Sequence, residues 1–129
     1  LNKVGINCDL IDLRTTSPLD IDLIKKSVTK TGRIIAVDSS SQSFSVASEI
    51  IAQISMDPKI VLKHSPKIIA LEDSPAPTSF GLTKDFYNSA SDIYREVLGI
   101  FEKPTDDIEK IFYSEKLHDV PGDWFKGPF

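Results

Sequence analysis

The chain has 129 residues, 40% apolar and 26% charged, the composition of one ordinary soluble domain with room for a core. A formal charge of −4 and a pI near 5.1 exclude the basic face of a nucleic-acid binder. A lone cysteine, Cys8, excludes an internal disulfide, no run approaches the roughly eighteen apolar residues of a membrane span, and no signal peptide is visible.

Residues 1–5 read as the last turn of a helix closed by Gly5, leading into a strand over residues 6–13. A chain that opens on the end of a helix is expected to be part of a longer subunit, with a short frayed terminus as the alternative. Pro18 then punctuates, and Asp20 opens a helix to about Lys30 with Ile21, Ile24 and Val28 on its apolar side and Leu23 beside it. Thr31 and Gly32 cap that helix, and residues 33–38 form a nearly continuous apolar strand suited to a parallel sheet covered on both faces. Residues 39–45 are a polar turn. The next helix begins near Ser45 and carries Val46, Ile50, Ile51 and Ile54 inward.

Asp57 and Pro58 punctuate again, and residues 58–63 fit a short helix or a strand equally well. Residues 67–72 are the third strand. Two close prolines make residues 73–79 an extended surface segment. Asn88 or Ser89 caps a helix to Phe101, with Ile93, Val97, Leu98 and Phe101 inward and Asp92 near its positive end. Beyond Glu102 the pattern weakens: Pro104 can start one more helix through Ile111 and Phe112, and residues 120–129 are an aromatic tail. Strands alternating with helices give an α/β sandwich, mostly parallel, without an internal repeat.

His64 and His118 lie far apart, and neither has a second ligand at metal spacing. Asp38 with Ser39 and Ser40 reads two ways: a ligand site at the carboxyl end of a parallel strand, or a solvated turn capping the next helix. The serine run lacks the G-x-S-x-G of a nucleophile elbow. Arg14, beside the Thr15 hydroxyl, can hold an anion or a partner carboxylate bidentately; the alternative is an ion pair with Asp12 or Asp38. In the tail, Trp124, Phe125 and Phe129 are anchors for a partner subunit or for the domain itself.

Four segments carry a family resemblance: D-L-R-T-T-S-P-L-D at 12–20, S-V-T-K-T-G-R-I-I-A-V at 27–37, A-S-E-I at 47–50 and A-L-E-D-S-P-A-P-T-S at 70–79. In this order they resemble the C-terminal, transketolase-type domain of the beta subunit of thiamine-diphosphate-dependent 2-oxo acid dehydrogenase E1 components. The resemblance runs over residues 1–101, leaves 102–129 as an extension, and implies a three-layer α/β sandwich lacking its first strand and helix. It also favours helix and loop over residues 58–63. The chain departs from the family at residues 39–45, where a glycine-rich turn is usual and no glycine stands.

By this resemblance the intact enzyme decarboxylates a 2-oxo acid on thiamine diphosphate with Mg and acylates a lipoyl-acyltransferase. The cofactor is expected outside this chain, which lacks the family's G-D-G and N-N metal motif, so the chain alone is expected to be inactive. Its own work is assembly: contacts with an alpha subunit and a second beta subunit, and docking of the acyltransferase core. No nucleic-acid or membrane partner is implied, and the compartment is the bacterial cytoplasm or the mitochondrial matrix. Two rivals remain: the same domain from transketolase or deoxyxylulose-phosphate synthase, and a free-standing module that binds small anions through Arg14 and the serine loop.

Overall fold

In the computed structural model the described residues are 1–83, 86–105 and 108–112. After a 3-10 turn at Asn2–Val4, the order is α1 (Ile21–Thr31), β1 (Ile35–Ser41), α2 (Val46–Ser55), β2 (Lys67–Leu71), α3 (Phe80–Thr83), α4 (Ala90–Ile100) and α5 (Ile108–Phe112). Gly5 and Gly32 end the first turn and α1 in the left-handed region, at φ 75° and 70°, where a side chain is costly. Gly32 is constrained twice, since a Cβ there would lie 2.7 Å from Lys63 Cγ.

The two strands pair in parallel, Ile35 beside Lys67 and Val37 beside Ile69, with the register shifting before Ser41 meets Leu71. Side chains alternate across a strand, and the consecutive residues Ile34 and Ile35 therefore enter different apolar clusters. On one side Ile24 and Val28 of α1 meet Ile50 and Ile54 of α2, with Ile11, Leu13 and Leu19 against them. On the other, Ile6 joins Val97 and Leu98 of α4 and Ile108 of α5. Helices on both faces of a parallel pair make the α/β sandwich that the alternation of elements predicts. Each fully buried Ile or Leu contributes about 1.5–3 kcal/mol to it.

The helices start where their caps stand. The Asp20 carboxylate accepts from Leu23 N–H at 3.2 Å, and Ser45 Oγ accepts from Ser48 N–H at 3.1 Å. At α4 the Asp92 carboxylate reaches back to Ser89 N–H at 2.8 Å and also holds Arg95. Burial would raise the Asp92 pKa, but the Ser89 hydrogen bonds and Arg95 outweigh it and hold the carboxyl below its ordinary value.

Three sequence expectations are corrected. Residues 6–13 form no strand among the described residues, because no neighbour offers them a ladder. They are held by side chains instead: Ile6 is buried, and Asp9 is bound to Lys30 Nζ at 2.8 Å and Ser27 Oγ at 2.9 Å. Lys30 first and Ser27 second keep the Asp9 carboxyl below its usual range. Residues 58–63 are neither helix nor strand; Asp57 accepts from Lys59 N–H at 3.0 Å and pairs with Lys25 at 2.8 Å, which stops the chain in a turn. Lastly, β1 runs on to Ser41, taking three residues from the expected polar turn. The single turn α3 was not anticipated from the sequence.

Candidate functional site

The carboxyl ends of β1 and β2 lie side by side in a parallel pair, so the loops that follow them share one end of the sheet. Asp38 organises the first loop. Its carboxylate accepts from Ser40 N–H at 2.9 Å, Ser40 Oγ at 2.8 Å and Ala47 N–H at 3.2 Å, joining the strand to the first turn of α2. Burial would raise its pKa, but these donors outweigh burial and hold it ionised below the ordinary range. From the second loop, Asp73 accepts from Ser43 N–H at 3.0 Å and from Ser43 Oγ, and those two bonds lower its pKa.

Between these fastenings stands Phe44. Its φ is 56°, a left-handed value that a bulky residue rarely adopts, and its side chain is 104% exposed. Ser45 on its other side is buried, donating to Gln42 O at 3.1 Å while capping α2. The loop is thus tied at Ser43 and Ser45, with the aromatic ring between them in solvent.

Beside Phe44 an open groove of about 470 Å³ runs between the Pro18 turn and α2. Thr16, Ser17 and Pro18 form one wall, and Val46, Glu49 and Gln53 the other. Gln53 donates to Glu49 at 2.6 Å, and among the described residues Glu49 has no cationic partner. The Ser17–Pro18 peptide bond is cis.

None of the sequence-nominated residues Arg14, Thr15, Ser39 and Ser40 lines this groove. Arg14 is exposed and makes no ion pair among the described residues, so the expected alternative pairing with Asp12 or Asp38 does not form. Thr15 Oγ1 donates to Pro18 O at 2.6 Å, which closes the turn. Ser39 and Ser40 are exposed on the end of β1, with Ser40 committed to Asp38. His64 Nδ1 lies 2.8 Å from Ser65 O. His118, Trp124, Phe125 and Phe129 lie outside the described residues. Sequence reasoning missed Phe44; the available signal was a single aromatic residue in a run otherwise polar from Asp38 to Ser45.

At the opposite end of the sheet, the Arg33 guanidinium lies 4.6 Å over the Phe101 ring centroid, and its buried Nε has no hydrogen-bond partner. Among the described residues no group of three or more His, Cys, Asp or Glu is placed to hold a metal ion.

Comparison with known proteins adds the family. A model of the transketolase C-terminal domain matches residues 1–93. The chain is 37% identical over 93 residues to the beta subunit of acetoin:2,6-dichlorophenolindophenol oxidoreductase of Cupriavidus necator, covering 72% of this chain and 28% of that protein. It is 41% identical over 80 residues to the pyruvate dehydrogenase E1 component subunit beta of Bacillus subtilis, covering 61% and 24%. Against the mitochondrial subunit of Rattus norvegicus it is 37% identical over 78 residues, covering 60% and 22%. The chain thus spans about a quarter of the length of these relatives. With helices on both faces of a parallel pair and a family match over most of its length, the chain belongs to the transketolase C-terminal domain family.

Proposed function

We propose that this chain is the association domain of a 2-oxo acid dehydrogenase E1 beta subunit. The observation that carries the proposal is the family match over residues 1–93, together with relatives that are beta subunits of pyruvate- and acetoin-oxidising enzymes. The surface supports it. Parallel sheets are covered on both faces, yet Val37 of β1 is 54% exposed, and Leu10 is 94% exposed on the preceding segment. Such side chains suit a domain covered by neighbours.

In this reading the intact enzyme decarboxylates a 2-oxo acid and transfers the acyl group to a lipoyl-acyltransferase. Thiamine diphosphate and magnesium are held by other parts of the enzyme. The domain meets an alpha subunit, a second beta subunit and the acyltransferase, in the cytoplasm or the mitochondrial matrix. No helix among the described residues is long and apolar enough to cross a membrane. Arg14, with the Thr15 turn and the exposed Ser39 and Ser40, contacts a carboxylate or anion of one of these partners. By residue type alone, the aromatic Trp124, Phe125 and Phe129 of the extension are further candidate anchors for a partner subunit.

The test is co-expression of the subunit carrying this domain with an alpha-type subunit, followed by analytical ultracentrifugation. The expected result is a stable mixed complex in which Arg14→Ala weakens association. A subunit that stays apart from every alpha-type partner would remove the proposal.

A further inference from the structure

Arg33 stands just ahead of β1, and its guanidinium lies 4.6 Å over the ring of Phe101, the residue that closes α4. The side chain is half-buried, its Nε has no acceptor, and it forms no ion pair among the described residues. A cation held partly out of water without a counter-charge is costly. The neighbouring charges are already committed: Lys67 pairs with Glu96 at 3.7 Å, and Lys103 Nζ donates to Val4 O at 2.7 Å.

Glu102, which follows Phe101, is the second misfit of this corner. Its φ is 52°, a left-handed value at the position after a helix where glycine is usual. The end of α4 fixes that conformation, with Glu102 N–H donating to Gly99 O at 3.1 Å and Lys103 N–H to Leu98 O at 3.0 Å. A carboxylate here also meets the negative end of the helix dipole. Glu102 is exposed and has no ion-pair partner among the described residues, although Arg33 lies over the adjoining ring. Phe101 itself is exposed, and α5, packed on α4, leaves Ile111 and Phe112 exposed.

Resting on the association reading above, we infer that this corner is a two-fold contact with a second copy of the chain, in which Arg33 of each copy receives Glu102 of the other beside the Phe101 rings. Charge decides the occupant. A two-fold axis brings one residue to a second and the second to the first, so a patch with one unpaired charge of each sign complements itself. A basic partner would satisfy Glu102 and oppose Arg33, and an acidic partner the reverse. The other end of the sheet lacks this property: Asp38, Glu49 and Asp73 stand there, and neither residues 34–58 nor residues 68–83 contain a Lys or Arg.

The experiment follows self-association of the full subunit by sedimentation equilibrium over a dilution series. Arg33→Glu and Glu102→Arg are each expected to weaken it by about tenfold or more, since each sets like charges together twice. Mixed in equal amounts, the two variants are expected to recover the native affinity, because every crossed pair is then opposite in sign. Glu102→Gly suits the left-handed backbone, so it is expected to keep or raise the melting temperature while weakening self-association. This variant decides the matter where a charge-reversed one does not fold. Loss in the single variants with recovery in the mixture supports the contact, since a merely structural role for either residue gives no recovery. The contact is overturned if Glu102→Gly associates unchanged, if the folded charge-reversed variants stay apart when mixed, or if the unaltered subunit is a monomer throughout. The association reading is then judged separately, by the mixed complex with an alpha-type subunit.

Discussion

The two apolar clusters flanking the sheet are built in different ways. The α1–α2 cluster joins Ile24 and Val28 to Ile50 and Ile54, all within 31 residues of one another, and each helix starts on its own side-chain cap. The α4 cluster joins Ile6 to Val97, Leu98 and Ile108, across most of the chain, and Lys103 Nζ reaches Val4 O at 2.7 Å. Local contacts form at little loop-closure cost, while the second cluster must first bring distant segments together. One side of the domain can therefore organise from its own sequence, and the other needs the finished sheet.

The sharpest test truncates the centre of each cluster. Ile54, only 1% exposed, packs at the middle of the first, and Ile54→Ala is expected to cost about 2–5 kcal/mol in a denaturant titration. Leu98→Ala in the second cluster is expected to fall in the same range, about 2–5 kcal/mol. If the sheet separates the clusters energetically, the double variant adds to within about 0.5 kcal/mol. A larger coupling would show one cooperative core and break the comparison.

Gly32→Ala acts on the joint between α1 and β1. Left-handed backbone costs an alanine roughly 1–2 kcal/mol, and the new Cβ also pushes Lys63 aside, so a melting temperature equal to that of the native chain would contradict the geometry. Ser45→Ala removes the α2 cap and the donor to Gln42, at about 0.5–2 kcal/mol, and amide exchange is expected to quicken in the first turn of α2 while α4 stays unchanged.

Acid has the smallest effect per group. Asp9, Asp38, Asp57, Asp73 and Asp92 all have native pKa values below the unfolded value of 3.8. At acid pH the unfolded chain then binds more protons than the native one, so stability rises with pH through this window. The contribution is complete above the unfolded value and is lost as pH falls through the lowered native values. Thermal melts between pH 6 and pH 2, a range set at about the carboxylate values, are expected to show this loss, and Asp38→Asn to flatten part of it.

Much of this fold was legible in the chain, for reasons that can be located. Asp20, Ser45 and Ser89 announce their helices because capping is a local affair of three residues. The apolar runs at Ile35 and Ile68 announce strands, of which only Ala36 and Ile69 are buried. The stretch from Ile6 to Leu13 has the same look and forms no ladder, because a strand is defined by a neighbour that its own residues do not specify. The candidate site was less legible. Arg14 stands free of the intrachain pairing open to it, but Asp38 is occupied by Ser40 and Ala47, and Asp73 reaches Ser43 across thirty residues. That last contact turns a polar turn into a mount for Phe44, and no spacing in the sequence encodes it.

The same fastenings decide where this domain tolerates growth. Surface loops ordinarily accept inserted residues at little cost. The connection from β1 to α2 is an exception, since Asp38, Ser43 and Ser45 are each tied to a partner at fixed reach, and one added residue would break at least one of them. The proline segment from Pro75 to Ser79 is exposed along most of its length and free of regular structure. A tag or a grafted loop belongs there, where the chain can lengthen without moving Phe44.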